Sequence, residues 1–490
     1  MRSVAVRWAS RLVIATLMFL TWWWVILSAA APRTSDNGVF LSVASAIADG
    51  VPLYEGVVDN KDPLFFFSLA AALRIGPTAA QILDVLWFVC LAAGAWLLAR
   101  STMRATAAVV AGFVAAPIAV LGIAYQPGMT NLPGTALVLL GMGLLVSRAW
   151  WASGFVFALA VVAKITTIPV VIAILVVTIA LPHMRKRGFR AAAVFAGSAF
   201  GLALVLLIVG SLDGYRKVLA RNVRYSGDVM FHFGLSRDVL GHLERWDADM
   251  TSPRWWTVLS ILLIAIACTA LWTKRTQQLT VLLLWLWVSI VGTFLAVSFT
   301  YVWPHHWQAA ALPAVVALVV AVGFATRLWG NRAPMQFLAT VLACLLAVPL
   351  GGWIPPQRIL ETWRTERAEW SSWRAQVDQT ALEARLLRTV PQPSFTVARL
   401  GSNDDASFLL DLPPQATLVC PRFHLYDFSP VEDFSEAYEC IDQSDVVLLT
   451  DQFLAFQSGW RGAVVTPIVN KVNAEFTCLR VEDRQVCTRW

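Results

Sequence analysis

The chain has 490 residues, 58% of them hydrophobic and only 14% charged. Soluble domains carry nearer a quarter charged residues, so this composition excludes an ordinary soluble protein. The net charge of +7 sits in short gaps between apolar runs. That layout sets membrane topology and makes nucleic acid a poor partner.

The first apolar run, Val13–Ala31, follows Arg2, Arg7 and Arg11 and contains Trp22, Trp23 and Trp24. It is long, and no small-residue cleavage site leads from it into a soluble domain, so it is predicted to be a retained helix. In all, about eleven spans are predicted. They lie near 11–31, 78–99, 106–124, 132–147, 152–165, 167–182, 190–210, 256–273, 279–300, 308–326 and 335–353. The fifth and sixth are short enough to be a broken pair. Leu64–Ile75 is too short to span and is expected at the interface.

Between the first two spans lies a loop at 32–77. In it, Val39, Val43 and Ile47 share a helical face, and Gly50 and Pro52 stop the pattern. This is an amphipathic surface helix. Asp36 stands at its start, where an Asp commonly caps a helix. The stretch LYEGVVDNKDPLFFF follows. It reads either as a turn before a helix or as a cation beside acids at lipid level, where a charge needs a partner.

With the N-terminus in the cytoplasm, Arg100, Arg104, Arg148, Arg185, Lys186, Arg187, Arg190, Lys274, Arg275, Arg327 and Arg332 all face inward. The outer features are then 32–77, 125–131, 211–255 and 301–307, followed by the C-terminal tail. The loop at 211–255 carries Arg216, Lys217, Arg221, Arg224, Arg237 and Arg245 on the disfavoured side. Anionic lipid headgroups or a bound phosphate would compensate. Lys164, at the end of the fifth span, either snorkels or meets a ligand.

In the tail, Glu361–Leu387 reads as a helix. Strand-like runs follow at Phe395–Leu400, Thr417–Cys420, Val446–Leu449 and Phe476–Val481. Helical patterns near Asp404–Leu410 and Val431–Ile441 separate the first three. Cys90, Cys268 and Cys344 lie in apolar runs and read as packing residues. Cys420, Cys440, Cys478 and Cys487 all lie in the tail, and four cysteines there suggest an oxidising compartment. Three pairings exist, and proximity favours Cys420–Cys440 with Cys478–Cys487.

The fold class expected is therefore a mainly α, polytopic membrane protein. A membrane domain would occupy 1–353, and an extracytoplasmic α/β domain 354–490. No metal or other cofactor is expected. His305 and His306 are adjacent, so on a helix they point apart, and neither they nor His232 and His242 match a zinc spacing. No glycine-rich phosphate loop suggests a nucleotide sugar.

Asp36 and Gly38, then Gly50 and Tyr54, then Asp59, Lys61, Pro63 and Leu64 follow the order of the first outer loop in the GT-C glycosyltransferases. The stretch resembles most the branch of protein O-mannosyltransferases and aminoarabinose transferases. Asp62 departs from the pattern, which usually has Pro there. Gly154 to Lys164 is similar to a glycine-rich span ending in Lys. Trp303 to Pro313 is similar to a Pro-His-Tyr segment, with His306 and Trp307 in the His-Tyr places. The likeness covers roughly 10–330. Relatives often carry a second acid in the next outer loop, where this chain has Gln126 and Asn131.

The resemblance implies a donor sugar on a polyprenyl phosphate and an acceptor outside the cytoplasmic membrane: a glycan, a lipid or a protein. Asp36 would be the base. Lys61 and His306 would meet the donor phosphate, with Tyr54, Asp59, His305, Lys164, Arg221 and Arg224 around it. Gln126 and Asn131 would bind sugar or acceptor. A transporter of lipid-linked sugars, or a membrane scaffold displaying the tail, are the alternatives. Inverted repeats would mark the first, and no convincing repeat is present in the sequence.

Overall fold

A computed structural model describes residues 2–29 and 35–220, except positions 58, 60, 77–78, 81 and 123–124. It further describes 222, 253–270, 277–300, 308–328, 383–400, 412–419, 435–450, 453–454, 462–481 and 484–489. The chain is mainly helical with a small C-terminal sheet. Contacts divide it into two units. One comprises Met1–Pro32, Gly76–Leu204 and Ser236–Glu366; the other comprises Arg33–Ile75, Val205–Leu235 and Arg367–Trp490.

The first unit is built of apolar helices. They are α1 (Arg2–Ala29), α4 (Leu83–Arg100), α5 (Ala105–Gly122), α6 (Asn131–Val146), α7 (Trp150–Ala163), α8 (Ile168–Ala180), α9 (Arg185–Ile208), α10 (Pro253–Ala270), α11 (Gln277–Thr300) and α12 (Ala311–Leu328). Among the described residues, six helices are long and apolar enough to cross a membrane: Arg11–Ala29, Leu83–Arg100, Ala105–Gly122, Arg185–Ile208, Gln277–Leu295 and Gln308–Ala325. Every predicted span but the last coincides with a helix; the one at 335–353 lies outside the described residues.

Small residues let these helices approach closely, as apolar helices in lipid require. A Cβ on Gly94 of α4 would stand 2.6 Å from the Leu139 backbone of α6, and one on Gly143 would stand 2.7 Å from the Gly94 carbonyl. In α5 the ladder widens to a π-turn at Ala111–Ala115. Such a turn disturbs the backbone pairing, and Trp22 of α1 donates its indole N–H to the Phe113 carbonyl there at 3.1 Å. One member of the tryptophan triplet thus has a polar task inside an apolar helix. Phe19 and Trp23 stack on each other and stay exposed, as lipid-facing residues do.

The predicted break between the fifth and sixth spans is present. Helix α7 ends at Ala163, Lys164 is extended (φ −157°, ψ 103°), and a single 3₁₀ turn, Ile165–Thr167, leads into α8.

In the second unit, α2 (Ser35–Ala48) pairs with α3 (Pro63–Ile75). Phe40 meets Phe65 and Phe66 edge-on, with ring centres 5.3 and 6.1 Å apart. Val43, Ala44 and Ile47 are buried with them, as are Leu69 and Ala72. Gly50, at φ +97°, ends α2 in the left-handed conformation that glycine adopts without cost. Arg74 donates from Nη2 to the Ala48 carbonyl at 2.9 Å, placing a cation at the negative end of α2.

Among the described residues, the tail of this unit holds a five-stranded sheet in the order β2-β1-β3-β5-β4. The strands are β1 (Phe395–Leu400), β2 (Ala416–Leu418), β3 (Val446–Leu449), β4 (Thr477–Val481) and β5 (Arg484–Thr488). β1 is parallel to β2 and β3; β5 runs antiparallel to β3 and β4. Alternation splits the core between two faces. Ala398, Leu400, Val447 and Leu449 pack with Ile468 and Val472 of α14 (Gly462–Glu475) and Ile441 of α13 (Ser435–Asp442). Phe395, Val397, Val446 and Leu448 pack on the other side with Leu387. A buried ion pair, Arg399 Nε to Glu383 Oε2 at 2.7 Å, fastens the helical turn at 383–387 to β1.

Strands β1 and β3 match the sequence prediction, and β4 does to within one residue. β2 starts one residue early and ends before Cys420. β5 and α14 were not predicted.

Candidate functional site

The stretch between α2 and α3 is held by its own polar groups. Tyr54 is buried in a turn at φ +69°, and its N–H donates to the Val57 carbonyl at 2.6 Å. Its hydroxyl donates to the Lys61 carbonyl at 2.7 Å. On the other side of Lys61, the backbone N–H donates to Asp59 Oδ1 at 2.9 Å. This is the bond by which an Asp closes a turn on the residue two ahead. Both backbone groups of Lys61 are therefore fixed. Its ammonium lies over the ring of Phe40, 5.4 Å from the centroid, within cation–π range.

Asp59 and Asp62 are both buried, at 1% and 5% exposure. Asp62, which stands where the loop pattern that this stretch resembles has Pro, accepts a hydrogen bond from the Tyr215 hydroxyl at 2.7 Å. The rings of Tyr54 and Tyr215 stack at 5.2 Å. Burial, reinforced by Asp62, drives the phenols of Tyr54 and Tyr215 well above the usual tyrosine range. Both therefore stay neutral and keep the proton that each donates.

Asp36 is the second residue of α2, inside its first turn and one turn before Phe40. Its side chain is outside the described residues, as are Arg221, Arg224, His305, His306 and Cys420.

In the first unit, Lys164 turns back onto the start of α6, donating from Nζ to Thr130 Oγ1 at 3.1 Å. A Cβ on Gly134 would stand 2.6 Å from Lys164 Cβ, so the bare glycine makes room for the lysine stem. Asn131 is buried beside Thr130, and Gln126 is half-buried in the preceding loop. That loop is anchored by a residue that sequence reasoning missed. Asp84, in the first turn of α4, accepts the Tyr125 hydroxyl and the Gly128 N–H on one oxygen, each at 2.7 Å. Tyr215 was missed as well. No local pattern marks either residue, because their partners lie 41 and 153 positions away.

In the sheet, Cys478 and Cys487 are bonded across the β4–β5 pair, as predicted. Cys440 is also in a disulfide, and its partner is outside the described residues. Cys90 and Cys268 are free. Among the described residues, no three of His, Cys, Asp and Glu are grouped to hold a metal ion.

No protein-family model matches the chain, and no curated protein matches its sequence. Solved structures do. ArnT from Cupriavidus metallidurans, crystallised with undecaprenyl phosphate, is 12% identical and has a TM-score of 0.52, the match covering 99% of this chain and 98% of that one. The archaeal oligosaccharyltransferase AglB from Archaeoglobus fulgidus, in complex with an inhibitory peptide and a dolichol-phosphate, is 11% identical. Its TM-score is 0.50, and the match covers 96% of this chain and 73% of that one. The fold of this chain is thus shared with these two structures: a bundle of apolar helices with a small C-terminal α/β domain.

Proposed function

We propose that the chain is an integral membrane glycosyltransferase. It moves a sugar from a polyprenyl-phosphate donor to an acceptor outside the cytoplasmic membrane. The acceptor is an envelope glycan, a lipid or a protein, and the tail domain helps to select it. The observation that carries this reading is the seat of Lys61. Its backbone is fixed on both sides and its ammonium is held over Phe40, on a fold shared with ArnT and AglB.

The chemistry follows from the residue types. The acceptor hydroxyl is a weak nucleophile, so a carboxylate must take its proton as its oxygen attacks the anomeric carbon. Asp36 is that base. The bond from this carbon to the phosphate oxygen breaks, and the polyprenyl phosphate leaves with the electron pair. A preorganised cation stabilises the growing charge without reorganising. Lys61 supplies it, with His305, His306, Lys164, Arg221 and Arg224 as further donors toward phosphate. Gln126 and Asn131 hydrogen-bond sugar or acceptor.

The reading is tested by mass spectrometry of cell-envelope glycans with and without the chain. One sugar unit should disappear without it and return with the unaltered protein. It should not return with Asp36→Asn at equal protein level, because losing a general base costs on the order of 100-fold or more in rate. Full restoration by Asp36→Asn would remove Asp36 as the base. An unchanged glycan profile in the chain's absence would remove the transferase reading.

A further inference from the structure

Asp62 stands where that loop pattern has Pro, and the structure gives it a task. Its carboxylate takes the hydroxyl of Tyr215, which lies in a helical stretch at 212–220 that opens the third outer loop. Two further contacts join the same segments. The Tyr54 and Tyr215 rings stack. Gly214 lies so close to Tyr54 that a Cβ there would stand 2.5 Å from the Tyr54 carbonyl oxygen.

These contacts close a circuit around Lys61. Tyr54 holds the Lys61 carbonyl, Lys61 leads by one peptide bond to Asp62, Asp62 holds Tyr215, and Tyr215 stacks back on Tyr54. We infer that Asp62 and Tyr215 form a latch that makes the first outer loop and the helical stretch at 212–220 one rigid element, and that through it they position Lys61 for an anionic lipid phosphate. They are positioning residues, since they act through Lys61. The same helical stretch carries Arg216, so that cation is registered on the lysine. This inference rests on the donor reading of the first outer loop.

The test uses the purified full chain with undecaprenyl phosphate as the probe. Tyr215→Phe keeps the ring stack and removes only the hydroxyl. It is expected to weaken undecaprenyl phosphate binding about tenfold, the scale of one hydrogen bond to a charged group. Asp62→Ala should weaken it at least as much. Asp62→Asn, which keeps an acceptor, should fall between that variant and the unaltered chain. The double variant Asp62→Ala/Tyr215→Phe should be no worse than Asp62→Ala, because the two groups share one bond.

Hydrogen exchange on the same samples reads the latch without the lipid. In Tyr215→Phe, exchange should rise together at 212–220 and at 53–62. If exchange rises at 212–220 alone, the two segments are not one element and the latch is overturned. If it rises in both while binding is unchanged, the positioning role is overturned. If the unaltered chain does not bind undecaprenyl phosphate, the donor reading falls with the positioning role, and exchange alone decides the latch.

Discussion

At the scale of single residues, the polar groups that matter are buried and paired with one another. Tyr54 and Tyr215 show what this does to protonation. Burial and the neighbouring Asp62 raise both phenols above the tyrosine value of about 10. A group whose folded pKa is raised contributes stability that is complete below its unfolded pKa and is lost as pH climbs from there toward the folded value. The fold should therefore lose stability above about pH 10 as unfolded tyrosines ionise and folded ones do not. Thermal midpoints measured across that range should fall, and fall less steeply in Tyr215→Phe. Equal slopes in both proteins would mean that Tyr215 ionises normally in the fold. Little of this was legible in the sequence. Tyr54, Asp59 and Lys61 stood out because the loop pattern they resemble is local in sequence, and the structure joins them through backbone atoms. Asp62 was visible only as a departure. Tyr215 and Asp84 were invisible, because a buried tyrosine–carboxylate bond is defined by its partner and not by its neighbours in sequence.

At the scale of elements, legibility followed the length and purity of the apolar pattern. Long apolar runs gave the helices of the first unit nearly end to end. β1 (FTVARL) and β3 (VVLL) are four to six residues long and mostly apolar, and both match the sequence reading. β5 is RQVCT, with two apolar residues among polar ones, and it forms because β3 and β4 flank it on both sides. Helix α14 contains Pro467, a residue that normally argues against a helix, yet Val465, Ile468 and Val472 bury enough surface on the sheet to hold it. The β4–β5 hairpin carries the Cys478–Cys487 bond, which closes a loop with a sequence separation of 9. Chain entropy for so short a loop predicts a loss of about 3 kcal/mol when both residues become Ser. Denaturant unfolding of the double variant should show it. Because β5 lies inside the sheet, protection of β3 amides should fall along with that of the hairpin. A loss confined to the hairpin would mean that the β3–β5 pairing holds the sheet without the clasp.

At the scale of the whole molecule, the transferase reading requires a particular sidedness, and the basic residues predict it. Positive charge gathers at Arg100 and Arg104, at Arg148, at Arg185 to Arg190 and at Lys274 and Arg275, which predicts that those turns face the cytoplasm. The tail then lies outside only if the number of later spans is odd, and that parity depends on 335–353, which is outside the described residues. Two exposed positions test it: Ser147, in the turn between α6 and α7, and Thr389, just before β1. Each is replaced by Cys in a chain whose Cys90, Cys268 and Cys344 have been changed to Ala. A membrane-impermeant maleimide should label Thr389→Cys in right-side-out vesicles and Ser147→Cys only in inverted ones. Labelling of both from one side would mean an even number of crossings between them, and a tail that shares the compartment of Arg148. The disulfides speak for the outside, since such bonds persist in oxidising compartments. The same sidedness brings the first outer loop and Lys61 to the leaflet where a lipid-linked sugar would meet an external acceptor, so one labelling experiment bears on the charge pattern, the cysteines and the proposed chemistry together.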